Sequence, residues 1–143
     1  MMKKEYLIYG VIALLLTSCF SSKQAQPIFP ENRSGSTVYY SEYKQTLSPF
    51  PYADTLVSIL KEAKCIKRKS YIFKNIPLSI YIRLGESQDS VIYRLYVSST
   101  EPDCDLQDVY NNLGYIVTNP EHIQWLRNYQ DEVNLQLRKL LGW

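Results

Sequence analysis

Strict alternation of apolar and polar side chains marks two neighbouring segments near the middle of the chain. Residues 78–84 and 91–97 each carry an apolar or aromatic side chain at every second position. Residues 85–90 between them are rich in Gly, Ser and Asp, which favour turns. Because successive side chains of a strand point to opposite faces, the pattern predicts an antiparallel hairpin. We expect Leu78, Ile80, Ile82, Leu84, Val91, Tyr93, Leu95 and Val97 on its core face, and Tyr81, Arg83, Arg94 and Tyr96 on the other.

Helical periodicity occurs on either side of this hairpin. After the capping candidates Asp54 and Thr55, apolar residues recur at helical spacing as far as Ile66. Near the C-terminus, residues 119–121 (Asn-Pro-Glu) combine a capping side chain, a proline for the first turn and an acid favoured by the helix dipole. The apolar residues that follow predict an amphipathic helix of about 20 residues. They are Ile123, Leu126, Tyr129, Val133, Leu137 and Leu140.

Weaker patterns predict three more elements. Residues 70–74 are interpreted as a strand, residues 105–113 as a short helix ended by Gly114, and residues 115–118 as a brief strand. The predicted fold class is therefore α+β, with a small antiparallel sheet of three to four strands and two main helices packed on one face.

Composition supports a single small domain. The chain has 143 residues, of which 45% are hydrophobic and 21% are charged. These values exclude a large multidomain enzyme, a collagen-like fibre and a fully disordered chain. The formal net charge is only +2, so we expect no nucleic-acid partner.

The N-terminus has the features of an export signal. Lys3 and Lys4 precede an apolar run of 11 residues at positions 6–16. A membrane-spanning helix needs about 20 residues, so this run fits a secretory signal better. Residues 16–19, Leu-Thr-Ser-Cys, resemble the lipobox of bacterial lipoproteins. The resemblance implies that residues 1–18 are a cleaved signal peptide and that acylated Cys19 holds the protein on a lipid bilayer.

The stretch after the cysteine predicts location and spacing. Residues 20–22, Phe-Ser-Ser, lack the aspartate of an inner-membrane retention signal and the acidic cluster of surface-export signals. This resemblance favours the outer membrane, with the protein facing the periplasm. Residues 19–37 are predicted to be the lipidated cysteine and a flexible tether, of which residues 20–37 span about 25 Å. The folded domain is predicted at residues 38–143.

Aromatic residues crowd the start of this domain, at positions 38–52. One interpretation is a docking segment for a protein partner, since aromatic side chains suit a contact surface. The other is a short edge strand and an extended arm laid on the domain. Tyrosines also lie on the predicted open face of the hairpin. The candidate partner-binding residues are Tyr39, Tyr40, Tyr43, Tyr81 and Tyr96.

Two cysteines remain if Cys19 is acylated. Cys65 lies in a basic stretch and Cys104 in an acidic one, and export from the reducing cytosol permits a disulfide. We consider a Cys65–Cys104 disulfide as one interpretation and two buried thiols as the other.

The sequence offers few candidates for catalysis or metal binding. The single histidine, His122, falls in the first turn of the last helix, and no nucleophile turn of the Gly-x-Ser-x-Gly type occurs. Four acids at positions 101, 103, 105 and 108 lack the glycine-permitted turn of a helix-loop-helix calcium site. We therefore predict no catalytic residue, no metal and no cofactor. An enzyme using these acids as general acid and base stays open as an alternative.

Two short motifs concern modification. Asp54-Thr55-Leu56 and Asp89-Ser90-Val91 resemble the three-residue O-glycosylation motif of Bacteroidetes periplasmic proteins. The second lies in a predicted turn, where it would be accessible.

Together these features predict a non-enzymatic accessory or scaffold lipoprotein of an envelope assembly such as a secretion system. The layout resembles accessory lipoproteins of contractile secretion machines in Bacteroidetes. The alternative is a periplasmic inhibitor or immunity lipoprotein that binds a toxin or hydrolase.

Overall fold

The computed structural model describes residues 23–40, 46–67, 79–86, 88–97 and 104–143. Within these ranges the chain forms seven strands and two helices. The strands are β1 (Thr37–Tyr40), β2 (Thr46–Pro49), β3 (Lys64–Lys67), β4 (Ile80–Leu84), β5 (Val91–Val97), β6 (Cys104–Asp108) and β7 (Leu113–Val117); the helices are α1 (Ala53–Glu62) and α2 (Pro120–Leu141).

The strands form one antiparallel sheet in the order β2-β1-β4-β5-β6-β7-β3. The predicted α+β class is confirmed, but the prediction of three to four strands was too low. Strands β1, β2 and β3 have four residues each, which is too short for alternation to stand out in the sequence. The predicted strand at residues 70–74 lies outside the described residues.

The predicted hairpin is confirmed as strands β4 and β5. Ile82 lies opposite Tyr93, and Leu84 lies opposite Val91. These four side chains are at most 5% exposed and face the core, as the alternation predicts. Leu78 and the side chain of Val97 lie outside the described residues.

The first helix is shorter than its apolar period suggests. It ends at Glu62, because Ala63 takes an extended backbone with ψ of 150°. The chain then continues as β3, where Lys64 pairs with Ile116 and Ile66 with Gly114. The prediction that Ile66 belongs to the helix was wrong. The apolar spacing in this short stretch fits the buried face of a helix and a buried strand equally well.

The helix predicted at residues 105–113 is also wrong, because this segment forms β6 and the turn into β7. The carboxylate of Asp108 accepts hydrogen bonds from the backbone N–H groups of Tyr110 and Asn111, at 3.1 and 3.0 Å. Such side-chain-to-backbone bonds compete with helix formation. Asn112, with φ of 53°, completes the turn in a conformation that asparagine tolerates well.

The C-terminal helix α2 begins and ends where the sequence predicts. The side chain of Asn119 accepts from the backbone N–H of Glu121 at 3.0 Å, and Pro120 occupies the first turn. Gly142 terminates the helix in the left-handed conformation, with φ of 72°. The buried stripe consists of Ile123, Leu126, Tyr129, Val133 and Leu137.

Both helices contribute to one core against the same face of the sheet. Leu56 and Leu60 of α1 and Leu126 and Leu137 of α2 are fully buried. They belong to one cluster with the core-facing residues of the strands. The opposite face of the sheet, called here the open face, is the one these helices leave uncovered.

The N-terminal strap, residues 23–36, packs against this domain. Ala25 donates its N–H to the carbonyl of Cys65, and Lys67 donates to the carbonyl of Lys23, both at 3.1 Å. The composition of residues 19–37 predicts a flexible tether, but the structure places the strap on the domain. Its backbone pairs with the outer edge of β3, which supplies an order that side-chain composition does not reveal.

Further along, the strap crosses the turn between β4 and β5. Ser36 accepts a hydrogen bond from the backbone N–H of Gly85 at 3.1 Å, and Arg33 pairs with Asp54 of α1. Gly85 has φ of 85°, and a Cβ there would lie 2.7 Å from the carbonyl oxygen of Asn32. Glycine is therefore required for the strap to approach the hairpin this closely.

Substitutions on α2 test the position of the core. Leu126→Ala should lower the free energy of unfolding by about 2–5 kcal/mol, because it removes a fully buried side chain. Leu135→Ala is the matched control, since Leu135 is 54% exposed on the same helix, and its effect should stay within about 0.5 kcal/mol. Urea denaturation followed by circular dichroism measures both; equal effects would contradict the proposed packing.

Candidate functional site

The strap is held by two buried tyrosines on the core face of the sheet. The hydroxyl of Tyr93 donates to the carbonyl of Ile28 at 2.8 Å, and the N–H of Ile28 donates to the hydroxyl of Tyr115 at 3.2 Å. Both tyrosines are 0% exposed, and their rings meet edge to face with centroids 5.9 Å apart. A buried hydroxyl needs a hydrogen-bond partner, and here the backbone C=O and N–H of Ile28 supply one for each tyrosine.

Burial controls the ionisation of these groups. Loss of solvent is the largest cause that raises the pKa of Tyr93 and of Tyr115 above the ordinary value of 10.0. The negative charge of Asp108 raises both further. Both hydroxyls therefore stay protonated at neutral pH and act in the structure as hydrogen-bonding groups.

Cys65 adjoins this pair as a free, buried thiol. Burial raises its pKa, against the opposing effect of a hydrogen bond with Tyr115. A buried thiol with a raised pKa carries little thiolate and is a poor nucleophile. Cys65 therefore has the character of a structural residue.

The predicted disulfide between Cys65 and Cys104 is not formed in this arrangement. Cys65 lies on β3 and Cys104 on β6, and β7 lies between them. Two strand spacings place the backbones about 10 Å apart, whereas bridged cysteines usually have Cα atoms within about 7 Å. The side chain of Cys104 lies outside the described residues.

A row of side chains crosses the open face of the sheet. Register places Tyr39 of β1, Tyr81 of β4 and Arg94 of β5 side by side, and we call these three the tyrosine–arginine row. The rings of Tyr39 and Tyr81 stack with centroids 5.5 Å apart and an interplanar angle of 14°. The Arg94 guanidinium lies 6.0 Å from the centroid of the Tyr81 ring and donates a hydrogen bond to Ser79.

These side chains are half-buried, so part of the surface of each is accessible. Burial is the largest cause that raises the pKa of Tyr39, and the charge of Arg83 opposes it. The row thus combines neutral aromatic rings with a guanidinium group. Such a surface can stack against aromatic or other planar groups.

The other predicted partner-binding tyrosines do not join this row among the described residues. Tyr40 is 2% exposed and faces the core, because it follows Tyr39 on β1 and points to the opposite side. Its assignment as a contact residue was therefore wrong. Tyr43 and the side chain of Tyr96 lie outside the described residues. The described residues of segment 38–52 form most of β1, the edge strand β2 and the N-cap of α1, which agrees best with the edge-strand interpretation.

An aromatic cluster that the sequence analysis missed lies between β2 and α2. The rings of Trp125 and Tyr129 stack at 5.5 Å and 5°, and Phe50 and Tyr52 meet Tyr129 edge to face. Tyr52 is 40% exposed and lines a groove of about 140 Å³ with Tyr129. The spacing of four residues between Trp125 and Tyr129 was a usable signal for a shared helix face. The cluster fastens the residues before α1 to α2.

His122 lies where the sequence predicts, in the first turn of α2. Its Nδ1 is 3.5 Å from a carboxylate oxygen of Glu62, and the Asn119 amide donates to the same oxygen at 3.3 Å. These residues line a groove of about 470 Å³. The Asn119–Glu62 hydrogen bond joins the end of α1 to the start of α2, whereas the buried Nδ1 of His122 makes no hydrogen bond within the described residues.

The acidic stretch does not assemble a carboxylate pair in its described part. Asp105 and Asp108 both lie on β6, and residues three apart on a strand point to opposite faces. Asp108 is fully buried and occupied by the turn, whereas Asp105 lies on the open face. Glu101 and Asp103 lie outside the described residues. Within the described ranges, no three His, Cys, Asp or Glu side chains group as metal ligands.

Comparisons with protein-family models, curated proteins and solved structures found no match for this chain. Of the helices in the described residues, none has both the length and the apolar character needed to span a membrane. Cys19 precedes the described residues.

Removal of a strap anchor should loosen the strap. Tyr93→Phe deletes the donor to Ile28 and leaves a buried carbonyl without this partner, which should cost about 1–3 kcal/mol. Hydrogen exchange of the amides of Ala25 and Ile28 should accelerate. Tyr129→Phe is the matched control, because it removes a buried hydroxyl outside the strap; equal acceleration in both variants would contradict a local anchor.

Alkaline pH should destabilise the fold. Burial raises the pKa of Tyr93, Tyr115 and Tyr129 above the ordinary value of 10.0, so the folded chain retains protons that the unfolded chain loses. Stability is therefore retained below about pH 10 and falls as the pH rises further. Urea unfolding measured from about pH 9 to pH 11 should show this fall, with a smaller slope in Tyr93→Phe. A pH-independent free energy of unfolding would contradict the ionisation argument.

Proposed function

We propose that this chain is an outer-membrane-anchored, periplasm-facing lipoprotein and a non-enzymatic accessory or scaffold subunit of an envelope assembly such as a secretion system. The lipobox-like residues 16–19 support the anchor. The observation that carries the scaffold role is the tyrosine–arginine row on the open face of the sheet.

The chemistry of the row suits a protein partner. Tyrosine offers a large contact area and a hydroxyl group at low entropic cost, and arginine is enriched at interfaces with it. The stacking of Tyr39 on Tyr81 orders both rings before a partner arrives, which reduces the entropy lost on binding. We expect the partner to present aromatic or other planar side chains to the row.

The described polar groups favour a non-enzymatic role. Asp105 and Asp108 face opposite sides of the sheet, and Asp108 already serves the turn. Cys65 is a buried thiol with a raised pKa. Asp108 and Cys65 therefore have structural explanations that require no substrate.

The anchor is tested by Cys19→Ser in the native host. In the wild-type chain, intact mass should show loss of residues 1–18 and addition of acyl groups, and the protein should fractionate with the outer membrane. The variant should keep its leader and lack the acyl mass. An unchanged mass and fractionation pattern would overturn the proposed anchoring.

The docking role is tested by the double variant Tyr39→Ala/Tyr81→Ala. Affinity purification of the solubilised wild-type protein should recover a stoichiometric envelope component. The double variant should recover this component in an amount at least about tenfold lower, a reduction typical of the loss of an interface hot spot. Trp143→Ala is the matched control, because Trp143 is an aromatic residue that is 80% exposed beyond the C-terminal end of α2. Equal recovery by the double variant would contradict docking at the row, and recovery of one inactivated hydrolase or toxin would favour the inhibitor alternative.

A further inference from the structure

The packing of the strap shortens the distance between the proposed lipid anchor and the domain. Lys23, the first described residue, already accepts a hydrogen bond from Lys67 of β3. Only residues 20–22 separate it from Cys19, so four residue steps join the two. A fully extended chain covers at most about 3.5 Å per residue, which limits the separation of their Cα atoms to about 14 Å.

This limit determines which part of the domain lies nearest to the acyl chains. Gln24 pairs with Ile66, so the strap enters the domain along the outer edge of β3. We define the β3 edge as strand β3 together with Lys23 of the strap, which is hydrogen-bonded to it. The lysines of this edge are Lys23, Lys64 and Lys67. A tether of 18 flexible residues would leave the orientation of the domain free, whereas four residue steps keep the β3 edge beside the bilayer.

The charge of this edge is complementary to phospholipid headgroups. Lys23, Lys64 and Lys67 are all exposed. The nearest acid in sequence is Glu62, whose carboxylate lies close to His122 and Asn119. Lys64 and Lys67 are three apart on β3, so their side chains flank the edge from opposite faces of the sheet. Lysines on both sides of an edge that is held close to a membrane attract anionic lipids, and the attraction falls off within a Debye length of roughly 10 Å.

We propose that the β3 edge faces the bilayer and that its three lysines bind anionic phospholipid headgroups; this inference rests on the proposed acylation of Cys19. The sheet then stands on its edge, with β2 farthest from the membrane. Six strand spacings separate β2 from β3, a distance of about 29 Å. The tyrosine–arginine row consequently opens sideways into the periplasm.

The test uses the acylated full-length protein in vesicles of phosphatidylcholine with about 30% phosphatidylglycerol. A membrane-impermeant amine reagent labels the lysines, and mass spectrometry gives the labelling rate at each position. Thr46→Lys adds an exposed reporter on β2, against which all rates are normalised. A matched variant carries 15 additional Gly and Ser residues between Ser22 and Lys23.

With the native spacing, Lys23, Lys64 and Lys67 should react at least about threefold more slowly than in the long-tether variant, because headgroups cover them. The protection should weaken in pure phosphatidylcholine. Equal rates in the native and long-tether proteins would overturn the inference while leaving acylation and anchoring intact. Absence of acyl mass in the protein from its host would instead overturn the proposed anchor and the inference together.

Discussion

The hydrogen bonds between two core tyrosines and the backbone of one strap residue determine the arrangement of this protein. Tyr93 and Tyr115 lie where water cannot reach, so their hydroxyls need partners within the fold. Ile28 provides both a carbonyl and an N–H. The strap therefore belongs to the core, and the point at which the chain leaves the domain is set beside β3.

The sequence predicts elements well where the local pattern is long or chemically specific. The seven-residue alternation of β5 and the Asn-Pro-Glu start of α2 each leave one reasonable interpretation. The segment from Ala63 to Lys67 does not, because its apolar spacing fits both a helix and a strand, and pairing with β7 decides between them. The helix predicted at residues 105–113 is wrong because the Asp108 carboxylate accepts a hydrogen bond from the backbone of the turn that follows it. This contact is not visible in the apolar pattern.

Only part of the candidate site can be predicted from the sequence. Alternation correctly placed Tyr81 and Arg94 on the face away from the core, but the stacking of Tyr39 on Tyr81 depends on the pairing of β1 with β4. No local pattern predicts that pairing, because the paired residues are far apart in the sequence. Tyr40 and Ile80, for example, are paired although 40 positions separate them. The aromatic cluster around Tyr129 was missed for a similar reason, since Phe50 and Tyr52 reach it through the fold.

The pairing of the strap with β3 also affects whether copies of the protein that are close together on a membrane can associate through their sheets. Exposed edges of β-sheets recruit edges of other molecules, and tethering to a plane concentrates copies of a protein. Here the backbone of Lys23 and Ala25 occupies hydrogen-bonding groups at one edge. At the opposite edge β2 is four residues long, ends at Pro49 and pairs with β1 through an irregular register. Both borders of the sheet thus discourage strand-to-strand polymerisation, so neighbouring copies can share a membrane as separate molecules.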